Sequence, residues 1–152
     1  MNDRAAIRNS CRGFSLLEVV MVLACGTILI AIAVPNISRL QQEWTLWGAA
    51  HALESSLRWG RTHAVTANSS TMFTVDEDGK VFYWVDPESG GRFESTVRHL
   101  PGQVRIVGSP KRSLRFYPRG NAAPAGTYIL QGEAGLYRVV VSPVGRIRLQ
   151  RD

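Results

Sequence analysis

Gly13-Phe14-Ser15-Leu16-Leu17-Glu18 opens an apolar run, Phe14 to Val34, in which Glu18 is the single charge. At about 1.5 Å of rise per residue its 21 residues make a helix of roughly 32 Å, enough for a hydrocarbon core of about 30 Å. The run can therefore span a bilayer. An ionised side chain inside such a segment costs on the order of 2.5 to 3.5 kcal/mol and marks a functional site whose partner has to be found. Ahead of the run stand Arg4, Arg8 and Arg12, opposed only by Asp3, whereas Arg39 is the one early basic residue behind it. That bias keeps the amino terminus in the cytoplasm and sends the carboxy-terminal part across the membrane.

These residues resemble the amino-terminal signature of the type IV pilins and of the pseudopilins of type II secretion. The shared features are a short basic leader ending in Gly13, then Phe14, a carboxylate at the fifth position after that glycine (Glu18), and Pro35 near the end of the apolar helix. The resemblance implies that a prepilin peptidase cuts between Gly13 and Phe14 from the cytoplasmic side and that Phe14 becomes an N-methylated terminus. It also implies that Glu18 pairs with the free amine of a neighbouring subunit's first residue, which is the partner the residue lacks. An ordinary secretory signal fits poorly, because such signals carry 7 to 15 apolar residues before a small-residue cleavage site. Here the run is longer and meets Pro35, Asn36 and a helix-like continuation.

Residues 1–13 thus read as a leader, 14–35 as a membrane and filament-core helix, and 36–152 as a domain outside the inner membrane, in the periplasm before assembly. Beyond residue 34 there remain 118 residues, close to the common single-domain size and enough for a modest core. Cys11 falls in the leader and Cys25 in the apolar helix, so no disulfide can close the exported part. Many major pilins do close that part with a disulfide, and its absence points toward minor subunits and pseudopilins.

Past Pro35, Ile37, Leu40, Trp44, Trp47, Ala50, Leu53, Leu57 and Ala64 recur along one face, the period of an amphipathic helix. One helix is expected from Phe14 to Val65, kinked at Pro35 where the N–H is missing. At that spacing Trp44 and Trp47 are expected in the core. From Asn68 the pattern changes to short strands: Thr71–Val75 and Lys80–Val85 flank Asp76-Glu77-Asp78-Gly79, a hairpin signal. Five more strands are expected at 104–107, 114–117, 128–130, 136–141 and 146–149. A long helix and then some seven antiparallel strands make an α+β, pilin-like fold in which the sheet covers the helix's apolar stripe.

The far end carries a second resemblance. Leu114-Arg115-Phe116-Tyr117-Pro118-Arg119-Gly120, Gly126-Thr127, Tyr137-Arg138-Val139-Val140-Val141-Ser142 and Gly145-Arg146-Ile147-Arg148 look like the carboxy-terminal half of the GspH/FimT family, whereas residues 66–112 match nothing comparable. That family comprises minor pilins and the minor pseudopilin H of type II secretion. In some of its minor pilins a terminal Gly-Arg-x-Arg motif binds DNA during natural transformation, which maps onto Gly145, Arg146 and Arg148. Alternation supports this, placing Ile147 and Leu149 inward and Arg146, Arg148 and Gln150 outward. Two arginines two residues apart on a strand stand roughly 6.6 Å from one another, close to the spacing of successive phosphates.

Charge is unevenly distributed. Residues 92–152 hold eleven basic side chains against three acidic ones, whereas residues 66–91 hold five acids and one lysine. One basic and one acidic surface are expected. The basic one, with Arg115, Arg119, Arg138, Lys111 and Arg112 as possible support for the Arg-x-Arg pair, suits DNA, anionic lipid or an acidic neighbouring subunit.

Enzymatic signatures are missing: there is no nucleophile elbow, no phosphate loop with Lys-Ser/Thr at its end, and no paired-histidine or CxxC spacing. The expectation is a non-enzymatic minor subunit at or near the tip of a type IV pilus, binding DNA, or else a minor pseudopilin H without DNA binding. Its partners would be other pilin or pseudopilin subunits, the peptidase, the inner membrane before assembly and DNA. No cofactor, metal or small-molecule substrate is expected.

Overall fold

The computed structural model describes residues 15–152; the leader and the cut between Gly13 and Phe14 lie outside the described residues. The chain divides into two units, one ending at Ser38 and one running from Arg39 to Asp152. Helix α1, Leu16–Thr66, begins in the first and ends in the second, and it is helical through Pro35.

In the first unit the large apolar side chains from Leu16 to Val34 are exposed, and the helix is long and apolar enough to cross a membrane. Two of its hydroxyls are satisfied within the helix: Thr27 donates to the Ala24 carbonyl at 2.8 Å and Ser38 to the Val34 carbonyl at 3.2 Å. Hydrocarbon surroundings require this, since they offer no other partner. Glu18 sits in the first turn, where its N–H donates to the Ser15 carbonyl at 3.0 Å. Its carboxylate makes no salt bridge among the described residues.

In the second unit the buried stripe of α1 is Leu46, Ala49, Ala50, Leu53, Leu57 and Ala64. This corrects the sequence expectation for the start of the stripe. Trp44 is 61 % and Trp47 46 % exposed, and Ile37 and Leu40 are exposed with them. At about 100° per residue, residues 46, 50, 53, 57 and 64 fall within one narrow sector, whereas 37, 40 and 44 point away from it and 47 lies on its flank. The helix thus carries two overlapping apolar stripes with the same local spacing, and only one of them is covered. Trp44 and Trp47 instead meet edge to face, centroids 5.7 Å apart, beside a groove of about 320 Å³ shared with Leu40, Glu43, Tyr137 and Arg151.

Nine strands come after the helix, two more than the pattern predicts, and they form two antiparallel sheets instead of one. The first has the order β3-β2-β1-β5-β6, with β1 Thr71–Val75, β2 Val81–Val85, β3 Arg98–His99, β5 Leu114–Phe116 and β6 Ala122–Ala123. The second has the order β4-β7-β8-β9, with β4 Arg105–Gly108, β7 Gly126–Gly132, β8 Gly135–Val141 and β9 Ile147–Arg151. Period-2 alternation decides the inward residues: Phe73, Phe82, Trp84, Leu114 and Phe116 in the first sheet, and Tyr128, Leu130, Val139, Val141 and Ile147 in the second. Phe73 and Tyr128, ring centroids 5.3 Å apart, join the two.

Small residues on α1 let the first sheet approach. A Cβ at Gly60 would overlap the Trp84 ring, and the Gly60 carbonyl accepts from the buried Thr71 hydroxyl at 3.1 Å. The Trp84 indole N–H donates to Ser56 at 2.9 Å, so the largest buried side chain has no orphaned donor. Among the described residues every buried apolar side chain lies between Leu46 and Ile147, so residues 39–152 carry the whole core.

Candidate functional site

Two turns that are far apart in sequence meet beside the carboxy-terminal end of α1. The β5–β6 turn, Tyr117 to Asn121, closes on its own backbone: Gly120 N–H donates to the Tyr117 carbonyl at 2.8 Å and Tyr117 N–H to Asn121 at 3.0 Å. The β8–β9 turn, Ser142 to Arg146, does the same. Gly145 N–H donates to the Ser142 carbonyl at 2.9 Å, and Arg146 N–H donates to the Ser142 hydroxyl at 3.0 Å. Ala122 N–H reaches across to the Pro143 carbonyl at 2.9 Å, which ties the turns together.

Glycine is needed at the crossing. Gly120 has φ +80° and Gly145 φ +76°, conformations that side chains resist. At Gly145 a Cβ would also overlap the Gly120 carbonyl oxygen and stand 2.8 Å from Arg61 Nε. Arg61 closes the junction by donating its Nε–H to that same Gly120 carbonyl at 3.0 Å. Arg119 and Arg146, next in sequence to the two glycines, are both exposed.

Along β9 the expected alternation is observed: Ile147 is buried, Leu149 half-buried, and Arg146, Arg148 and Gln150 exposed. Because β9 is an edge strand of the second sheet, nothing in that sheet lies beyond its arginines. Pairing across the sheet sets Arg148 opposite Val140, and Val140 opposite Thr127. At about 4.8 Å per strand Thr127 lies about 10 Å from Arg148. Thr127 in turn lines a recess of about 420 Å³ with Lys111 and Arg112. Lys111 and Arg112 thus border a recess whose Thr127 edge is two strands away from Arg148, while Arg119 and Arg146 stand at the turns. Arg115 sits mid-strand on β5, half-buried, between Met72 and Ala123.

Some of the basic residues are neutralised. Arg138 donates to the Asp152 carboxylate, Arg151 lies 3.6 Å from Glu43, and Arg92 lies 3.6 Å from Glu94. Among the described residues no carboxylate pairs with Arg61, Arg119, Arg146, Arg148, Lys111 or Arg112.

The acidic segment does not form one surface, contrary to the sequence expectation. β2 separates its two halves, so Asp76 to Asp78 cap one end of the first sheet while Asp86 and Glu88 come after β2 at the other. The Asp86 carboxyl is held below the usual carboxylate range by the Ser89 hydroxyl and the Glu88 N–H. Arg61 was missed as a site residue: it reads as one more solvated charge on α1, and only the pairing of distant turns brings it to the junction.

Residues 49–145 match the family described as Type II transport protein GspH, and residues 8–34 match the prokaryotic N-terminal methylation motif. The pilin-like protein PilA1 of Thermus thermophilus is 30 % identical over 156 residues, covering 91 % of this chain and 98 % of that protein. Two solved structures share the fold. The type IV minor pilin FimU of Pseudomonas aeruginosa superposes with a TM-score of 0.57 at 23 % identity, over 69 % of this chain and 92 % of that one. The minor pseudopilin EpsH of the Vibrio cholerae type 2 secretion system superposes with a TM-score of 0.58 at 14 % identity, over 70 % and 96 %. A long amino-terminal helix, two antiparallel sheets on its second half and a methylation motif at its head have one common meaning: the chain belongs to the GspH family of type IV minor pilins and pseudopilins.

Proposed function

We propose that this minor subunit is cut between Gly13 and Phe14, methylated at Phe14, and drawn from the inner membrane into a type IV pilus, where it stands at or near the tip. Before assembly its domain lies in the periplasm. Exposed there, Arg146, Arg148 and Arg119 bind the phosphate backbone of DNA for uptake. The observation that carries this reading is the junction of the two turns, a glycine-dependent frame on which Arg119 and Arg146 stand, with Arg148 two residues on along β9 and, among the described residues, no carboxylate paired with any of the three.

Such contacts position a duplex without reading its sequence, because phosphates are alike at every step. Binding is then weak for one subunit, indifferent to base sequence and steeply dependent on salt through counterion release. In a gel-shift titration of residues 36–152 with duplex DNA at low salt, Arg146→Gln/Arg148→Gln should bind about tenfold more weakly, and the slope of log affinity against log salt should flatten by about two. Equal binding by the two proteins would reject the arginine assignment.

The likeness to EpsH favours a second reading, a minor pseudopilin of type II secretion whose basic end meets other tip subunits or exported protein. Absence of a shift with the native domain, tested also with several copies displayed together to restore avidity, would favour that reading.

A further inference from the structure

We propose that Arg61, near the end of α1, completes a single phosphate-binding site with Arg119 and Arg146. The proposal rests on the DNA reading and deepens it, naming one composite site and adding a residue from outside the carboxy-terminal motif.

Arg61 spends only its Nε–H on the Gly120 carbonyl; a guanidinium has five donors, so the two Nη groups remain for a ligand. The Nε hydrogen bond orients the planar guanidinium, and Nε and Nη2 both stand 3.4 Å from where a Cβ on Gly120 would be. The side chain therefore lies against the Gly120–Gly145 contact. Arg119 and Arg146 are the neighbours of those two glycines, which puts their Cα atoms within about 14 Å of each other by chain geometry. Three cations with no carboxylate among them repel one another, and the repulsion is relieved when an oxyanion sits between them. A phosphate suits the place because several oxygens can each accept from a planar guanidinium fork.

Lysine would replace this residue only in part. Its ammonium is a point charge on a flexible stem and cannot hold the Gly120 carbonyl while also presenting a fixed fork to the ligand. The glycines are explained by the same geometry: a side chain at 145 would push Arg61 Nε away as well as parting the turns.

The test uses the full chain in neutral detergent micelles, titrated with inorganic pyrophosphate while the amides of Gly120, Gly145 and Arg146 are monitored by NMR. Both turns should respond with one dissociation constant. Arg61→Gln should weaken binding about tenfold at both, and Arg61→Lys should recover only part of it, with the amides of Phe73 and Val139 reporting an intact core. Different constants for the two turns, or unchanged binding in Arg61→Gln, would overturn the composite site. Pyrophosphate binding at both turns without a duplex DNA shift would reject the DNA reading alone. A DNA shift that Arg61→Gln leaves intact would reject the role of Arg61 alone.

Discussion

Glu18→Ala should leave the precursor in the membrane at its normal level and reduce its content in sheared fibres by about a hundredfold or more. Two roles for this carboxylate differ in size. In the first turn of α1 it favours the helix dipole, worth about 0.3 to 1 kcal/mol, which would change assembly by a factor of about five at most. As half of an ion pair inside an apolar fibre core its loss strands the partner amine, which costs about 3 to 5 kcal/mol. Insertion itself should be no worse, since the substitution removes a charge that costs on the order of 2.5 to 3.5 kcal/mol in hydrocarbon. Immunoblots of sheared fibres and of membranes, compared with a Glu18→Gln variant, separate the two roles. A fibre content within about fivefold of the native protein in both variants would leave Glu18 a helix-terminus residue and no more.

Gly145→Ala should lower the melting temperature of the domain by about 10 °C or more and weaken DNA binding with it. A left-handed conformation costs a non-glycine residue about 1 to 2 kcal/mol, and here φ is +76°. The added methyl also overlaps the Gly120 carbonyl oxygen, a backbone atom that moves only if the turn moves, and overpacking of that kind costs typically about 1 to 3 kcal/mol more. For a domain of this size each kcal/mol corresponds to roughly 3 to 5 °C. Gly102→Ala is the control, with φ +56° and nothing within 4 Å of an added Cβ. It should lose only the conformational part and leave DNA binding intact. Equal losses in the two variants would show that the crossing of the turns contributes nothing beyond backbone preference.

What could be read from the chain was whatever local chemistry controls. Asp-Gly at 78 and 79 makes a hairpin wherever it stands between alternating strands, and the Arg-Ile-Arg-Leu alternation at 146 to 149 decides which side chains face out. The apolar run and its one charge are equally local. Helix phase was harder, because Leu40, Trp44 and Trp47 satisfy the same three-and-four spacing as Leu46, Leu53 and Leu57, and only the reach of the sheets decides which stripe is covered. The strands β3 and β6 are two residues long, too short to show a period, so their sheet edges were invisible.

The junction was the least legible part. Arg61 and Gly120 are 59 residues apart at the hydrogen bond that joins the helix to the turn, and no local signal encodes that meeting. Arg138 illustrates the reverse error: by sequence it is one of a basic series, and in the fold Asp152 takes its charge. Lys111 and Arg112 border a recess with Thr127, which the register of β7 and β8 sets two strands from Arg148, a placement no local signal encodes.

Whether the chain becomes a cut and methylated fibre subunit is read from the intact mass of the protein recovered from sheared fibres. The recovered chain should begin at Phe14 and carry one added methyl group, with the uncut form confined to the membrane; fibres holding the chain from Met1, or none of it at all, would rule this out.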